Sequence, residues 1–307
     1  MGPSLFQRRF LILSGKGGVG RTTVAAALAR AAVHAGKRVL VAQMDSPERL
    51  GRLLGHAGGI GPEVTPVSEG LDAVNMTTRA AMRQYGLMVL RYEAIYRTIF
   101  ENKAVQGFLA AVPGLDAYAM LGKAWWHTTE LEEGRPRYDL VILDGPASGH
   151  TATMLRIPQA ITEAMPKGPL AKDAAAMNAL FRDPQRTAFV IVTLAEDLPA
   201  RETSELARIV REGLQLPLGP LVVNGLPPAG PARPEVQAVL ARGPTGDAAL
   251  DAILAGAALL AARREEAEEV LGTLRKDPGL PMIELPRLPT TDLGPAEIDE
   301  LARYFAT

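Results

Sequence analysis

The sequence predicts an α/β protein, a doubly wound and mostly parallel sheet with an inserted helical subdomain. Three observations predict it. Apolar runs suited to strands buried on both faces, Phe10 to Leu13 and Tyr138 to Leu143 among them, alternate with helical patterns along the chain. Such alternation places crossover helices on the faces of a parallel sheet, with ligands at the strands' carboxyl ends. The first run leads through a glycine-rich stretch, Ser14 to Gly20, directly into a helical pattern from Val24 to His34 that stops at Gly36. Finally, the helical material between Thr77 and Arg137, and between Thr151 and Arg186, exceeds what simple crossovers need. We therefore expect one domain over residues 1–307, its helical subdomain built from insertions at about 77–137 and 151–186.

In chain order, Arg38 to Ala42 is the second strand, ending at Gln43-Met44-Asp45-Ser46-Pro47, and a short helix is expected over Glu48 to Leu54. Gly55 to Glu69, rich in Gly and Pro, reads as loop, and Leu71 to Asn75 as a short strand. Tyr85, Met88, Val89, Tyr92, Tyr96 and Ile99 fall on one face at helical spacing, and a further helical block, Ala104 to His127, breaks at Pro113-Gly114. The strand ending at Asp144 runs into Gly145 to Thr151 and then into helix as far as about Arg182. Thr187 to Thr193 and Leu221 to Val223 are buried strands around a helix at Ala200 to Gly213, and Pro227 to Pro231 is loop. A long helix, Asp247 to Lys276, carries the charged run Arg263 to Glu269 as a solvated face. Met282 to Leu285 is the last strand and Pro295 to Phe305 the last helix.

Composition removes several function classes. With 47% hydrophobic and 22% charged residues the chain is an ordinary globular sequence, and its net charge of −1 gives no basic field for nucleic acid. There is no cysteine, which excludes disulfides, thiolate zinc sites and thiol capture of a metalloid. The longest apolar stretch, Ala252 to Ala262, falls short of the roughly 18 to 20 residues of a membrane span. The first apolar run is a strand, not a leader, so a cytoplasmic protein is expected, at most peripheral to a membrane. His34, His56 and His127 have no metal-ligand spacing. Seven of the ten methionines lie between Met76 and Met177, where core packing outweighs an adaptable client surface as their explanation.

Strand, glycine-rich loop and helix together form the setting of a phosphate-binding loop. Closely spaced glycines let successive backbone N–H groups converge on phosphate oxygens, and the helix N-terminus adds its dipole. Gly15, Lys16, Gly17, Gly18, Val19, Gly20, Arg21, Thr22 and Thr23 meet the G-x-x-x-x-G-K-[ST] pattern except that Arg21 stands where Lys is expected. This outweighs a glycine-rich hairpin that binds nothing. Asp144, at the end of a strongly hydrophobic strand, suits the Mg²⁺ shell, with Thr22 ligating the ion directly.

The extra lysine at 16 makes the loop resemble the deviant phosphate loop of the MinD, ParA, ArsA and nitrogenase-iron-protein group. D-G-P-A-S-G-H-T-x-x-x-L-R-x-P, from Asp144 to Pro158, further resembles the D-T-A-P-T-G-H-T switch of ArsA-type ATPases, which include arsenical-pump-driving and tail-anchored-protein-targeting enzymes. The paired bacterial members of that family are the nearest likeness. Here Gly145 replaces Thr, and the Pro is shifted to 146. The resemblance implies that Lys16 reaches the partner subunit's nucleotide across a dimer interface, that Asp45 orients the attacking water, and that Asn224 reads adenine. It also implies that Leu285-Pro286-Arg287-Leu288-Pro289 covers the base. The usual D-P-A-H after the switch aspartate is absent, since Ser46 precedes Pro47 and no His follows.

The expected function is thus a dimeric, Mg-ATP-dependent ATPase whose nucleotide state rearranges helical subdomains that engage a client or membrane partner. Lys16, Arg21 and Asp45 are its expected catalytic residues, slowed by the arginine. The alternative is a nucleotide-binding, hydrolysis-poor adaptor paired with a paralogous ATPase. Homodimer and heterodimer both remain open, the client is unnamed by sequence, and a DNA-positioning role is disfavoured by the switch and by the missing basic bias.

Overall fold

A computed structural model of the chain describes residues 4–47, 49–90, 115–164 and 167–305. Eight strands share one sheet: β1 (Phe10–Ser14), β2 (Val39–Met44), β3 (Thr65–Ser68), β4 (Leu71–Met76), β7 (Leu140–Asp144), β8 (Thr187–Leu194), β9 (Leu221–Leu226) and β10 (Met282–Pro286). A separate hairpin pairs β5 (Leu131–Glu132) with β6 (Arg135–Pro136). The sheet order is β10-β9-β8-β1-β7-β2-β4-β3, and every neighbouring pair is parallel except β3–β4. β1 therefore sits between β7 and β8, with its carboxyl end beside theirs.

Side chains alternate across the sheet and feed two cores. Leu11, Leu13, Val39, Val41, Ile142 and Val190 pack with the Arg21–His34 helix and the Pro295–Ala302 helix. Phe10, Ile12, Leu40, Val141, Leu143 and Ile191 pack on the other face with Tyr118, Leu155, Phe181, Leu206 and Leu271. Those five come from the helices Leu115–His127, Ser148–Ala164, Pro169–Arg182, Asp197–Arg208 and Ala248–Lys276. Burial on both faces is why the strands read as continuous apolar runs. In the Arg21–His34 helix the buried positions are mostly alanine, which allows close approach to the sheet that carries the loop.

Several elements differ from the sequence reading. Within the stretch read as loop, Thr65–Ser68 forms an antiparallel edge strand, joined to β4 by a turn with Gly70 at φ +74°. Pro66 is tolerated there because an edge strand can lack one donor. Arg233–Leu240, to which the sequence reading assigns no element, is a helix, and Pro234 in its first turn marks the start. The helix after β8 starts at Asp197, and its continuation, Ile209–Leu214, widens to π geometry. Helical insertions are present between β4 and β7 (Thr78–Leu90, Leu115–His127) and between β7 and β8 (Ser148–Ala164, Pro169–Arg182). Tyr92, Tyr96, Ile99 and the block 104–114 lie outside the described residues. Met76, Met120, Met154 and Met177 are core residues, and Arg263 to Glu269 face solvent apart from the partly exposed Arg264 and the buried Ala267. Among the described residues no helix is long and apolar enough to cross a membrane.

Candidate functional site

Beyond Ser14 the chain turns with Gly18 at φ +89° and Gly20 at φ +85°, a left-handed conformation that only glycine adopts without strain. Gly15 is also required for space against backbone, and a side chain in place of Gly20 would push Asn224 aside. A Cβ on Gly15 would lie 2.1 Å from the Val192 carbonyl oxygen, and one on Gly20 would lie 2.2 Å from Asn224 Nδ2. Gly17 and Gly18 have nothing within 4 Å on that side, so the crest of the loop is open. Gly20 precedes the first turn of the Arg21–His34 helix, whose leading N–H groups have no partner within the helix. The loop is thus closed against the sheet beneath and open above, which suits a bound anion.

Beneath it, Thr22 Oγ1 donates to Asp144 Oδ2 at 2.7 Å across 122 residues of sequence. Gln43 Nε2, from the end of β2, donates to the same oxygen at 3.0 Å. Asp144 is only 5% exposed, and burial pushes its carboxyl up from the ordinary range; the bonds from Gln43 and Thr22 and the charge of Arg21 work the other way. Arg21 is itself lowered by burial, against the attraction of Asp144. Its guanidinium donates to the Gly145 carbonyl at 3.0 Å, tying the loop helix to the segment after β7. Hydroxyl and carboxylate oxygens are the hard donors that Mg²⁺ selects, and the ion characteristically takes few protein ligands alongside phosphate and water. The residues present fit that ion.

The switch segment locks onto the loop. Ser148 N donates to the Gly15 carbonyl at 3.1 Å, and Ser14 Oγ meets Thr151 Oγ1 at 3.0 Å. The helix begins at Ser148, so Gly149, His150 and Thr151 form its first turn and not an extended loop. At Gly145 a Cβ would approach the Leu13 carbonyl oxygen to 2.8 Å, so glycine here accompanies a tight join of β1 and β7.

The other predicted residues are more dispersed. Lys16 Nζ pairs with Glu202 of its own chain at 2.8 Å, with both side chains part-exposed. Asp45 is exposed, at φ +44°, with its N–H bonded to Met76 O at 2.8 Å. Asn75 pins the next residue, accepting from Ser46 N at 3.1 Å and donating to Ser46 O at 2.8 Å. Asn224 Nδ2 donates to the Val19 carbonyl at 3.0 Å, so its amide braces the loop. Pro286 ends β10 opposite Leu226, which sets it beside the β9 end that carries Asn224. Their neighbours Gly225 and Arg287, with Leu194, Pro228, Glu266 and Val270, line a cavity of about 790 Å³. Gln43, Asn75 and Glu202 are not among the site residues expected from sequence; the one signal for Gln43 is a polar residue directly after the apolar run of β2.

The chain is 27% identical over 230 residues to ATPase BagA of Mycobacterium tuberculosis, covering 72% of this chain and 66% of that protein, about two thirds of its length. It is 30% identical over 251 residues to an arsenical pump-driving ATPase of Acidiphilium multivorum, covering 73% of this chain and 40% of the other. With ATPase GET3 of Kluyveromyces lactis it shares 24% over 254 residues, 71% and 72% of the two chains. The profile of the anion-transporting ATPases matches residues 8–168, more than half of the 307 residues and a span that holds the loop, Asp45, Asp144 and the switch. The chain belongs to the anion-transporting ATPase family.

Proposed function

We propose that the chain binds Mg-ATP at the loop and hydrolyses it, and that one observation carries this reading: Thr22 Oγ1, in the first turn after the open glycine loop, meets Asp144 Oδ2 at 2.7 Å. Thr22 and Asp144 would hold Mg²⁺, which when bound neutralises phosphate charge on the way to the transition state. The loop N–H groups and Arg21 hold the phosphates. Asp45, exposed at the end of β2, orients the water that attacks the γ-phosphorus while the bond to ADP breaks. The base lies at the ends of β9 and β10, in the cavity beside Asn224 and Pro286. Lys16 exchanges Glu202 for a partner subunit's nucleotide, which makes the working form a dimer. Residues 1–307 act as one unit, and the helical insertions change their mutual arrangement with nucleotide state to engage a membrane-protein client or peripheral membrane partner in the cytoplasm. Arsenite is not the trigger, because no thiolate is available to bind so soft a ligand.

Arg21 favours a slow enzyme. Its guanidinium is planar, wider than an ammonium and already bonded to the Gly145 carbonyl, so charge is retained while fine positioning on the phosphates is not. A misplacement of about 1 Å is worth roughly a hundredfold in rate. The same bond supports a second reading, a nucleotide-gated adaptor that hydrolyses only beside a paralogous subunit. The test is single-turnover hydrolysis with a binding isotherm and solution mass, for the wild type, Arg21→Lys and Lys16→Ala. Arg21→Lys is expected to hydrolyse faster at nearly unchanged affinity, and Lys16→Ala to lose hydrolysis and ATP-dependent dimer far more than ATP. Loss of turnover in Arg21→Lys removes the slow-enzyme reading, and equal loss of binding and hydrolysis in Lys16→Ala removes the trans role.

A further inference from the structure

We infer that Gln43 is a positioning residue for the metal site, holding the Asp144 carboxylate in the orientation that presents its second oxygen to the cation. The inference rests on the Mg-ATP reading above. Gln43 lies in β2 directly opposite Asp144 in β7, so the parallel register, not a flexible loop, sets their separation. Its side chain is wholly buried, and Nε2 donates to Oδ2 at 3.0 Å. The orientation of the amide follows from chemistry, because an ionised carboxylate accepts only and must face the nitrogen.

Among the described residues, both side-chain hydrogen bonds to Asp144, from Gln43 and from Thr22, land on Oδ2. Two donors converging on one oxygen fix the plane of the carboxylate and leave Oδ1 for the ion's shell. Thr22 can offer a lone pair to the cation and still donate its O–H to Oδ2, so Gln43 is the second neutral donor, one that takes no part in the ion's shell and keeps Asp144 from rotating. A charged donor in its place would compete with the cation for the same carboxylate.

The fold gains little from an amide at this position. Val39, Leu40, Val41 and Ala42 before it are apolar and fully buried, and Gln43 Oε1 is buried without a partner among the described residues. A buried polar atom left unpaired is unfavourable. The apolar residue of similar length, methionine, would avoid that and lose only the bond to Asp144. A glutamine kept under that handicap is explained by the bond it makes.

The experiment measures binding, not turnover. Affinity for a fluorescent ATP analogue is titrated against Mg²⁺ for the wild type, Gln43→Met and Gln43→Leu, with an excess-EDTA arm and apo melting curves alongside. The expected result is a five- to tenfold rise in the Mg²⁺ concentration giving half of the metal-dependent gain in affinity, with EDTA-arm affinity within about twofold and apo melting temperature unchanged or raised. Variants with wild-type Mg²⁺ dependence overturn the inference and leave the reading of the site intact. Failure of both variants to fold overturns it too, because the amide is then a requirement of the fold. A wild type whose affinity ignores Mg²⁺ overturns the reading of the site itself.

Discussion

At the amino end of β7, Asp139 is held by both arms of Arg38, with Nη2 at 2.9 Å and Nε at 3.1 Å. Beside it Glu130 accepts from His127 Nδ1 at 2.9 Å and Arg137 Nη1 at 2.8 Å, and Tyr138 donates its hydroxyl to Asp72 at 2.8 Å. At the carboxyl end of the same strand, the side chains that hold Asp144 among the described residues are the neutral donors Gln43 and Thr22, while Arg21 turns to a backbone carbonyl. One end closes its charges with charges. Among the described residues the other leaves a buried carboxylate and a cation without an ion pair between them, a balance that, on the proposed reading, a phosphate and a divalent ion would complete. Perturbed and incompletely paired groups gather where ligands act, and the contrast along five residues of one strand separates that signature from ordinary structural pairing.

The largest expected effect breaks the carboxyl end. Asp144→Asn should lower Mg-ATP turnover by about a hundredfold or more, since the proposed Mg²⁺ site loses its carboxylate. The apo protein should not suffer. Burial raises the folded-state value of Asp144, so its contribution is complete below the ordinary carboxylate range and is lost as pH rises through the raised value. Asparagine removes that penalty, and the variant should melt at or above wild type at neutral pH, with the gap closing in acid. Melting curves at several pH values beside turnover check both halves. A strongly destabilised variant would mean that Asp144 is structural like the carboxylates at the other end.

The converse test breaks the amino end. Glu130→Ala takes the carboxylate from the buried His127 and leaves Arg137 only the more distant Asp72 at 3.7 Å, and should cost about 2 kcal/mol of stability. Turnover at a temperature where the variant stays folded should remain within about twofold, since the site lies at the far end of the strand. The pairing also has a direction. Burial pulls His127 below its ordinary range, and Glu130, raised by burial, is brought down further by its bonds to His127 and Arg137. A neutral imidazole therefore donates Nδ1–H to an ionised carboxylate. Denaturant melts of the variant decide the matter, and a tenfold drop in turnover without loss of stability would erase the distinction between the two ends.

What the sequence shows of these ends depends on how local the signal is. The loop and Asp144 are legible because each is announced by its neighbours, contiguous glycines after one apolar run and a carboxylate ending another. The sheet is legible for the same reason, since both-face burial writes its strands as unbroken apolar runs. β3 is not, because an edge strand with Pro66 and Ser68 needs no such run. Gln43 and Glu202 are illegible, as they reach Asp144 and Lys16 across 101 and 186 residues, through register and helix placement that no short window contains. Asn224 is legible as a site residue on resemblance, yet its bond to Val19 appears only once β9 is set beside the loop.

The smallest effect tests whether the amino end is closed by charge and not by shape alone. Arg38 and Asp139 are 45% and 33% exposed, so solvent and salt screen the pair, and it should contribute only about 0.5 to 1 kcal/mol despite its forked geometry. The bonds from Arg38 hold the Asp139 carboxyl below the ordinary range, outweighing partial burial. For a lowered acid, stabilisation is present above the ordinary value of about 3.9 and is lost as pH falls through the folded-state value. Asp139→Asn should therefore melt slightly below wild type at neutral pH, with the difference closing in acid and shrinking in high salt. At neutral pH its sign is opposite to that of Asp144→Asn, although each removes one carboxylate charge, Asp139 just before β7 and Asp144 at its end. Two variants shifted the same way would show that the ends of β7 do not differ in how their charge is balanced, whatever the hydrogen bonds look like.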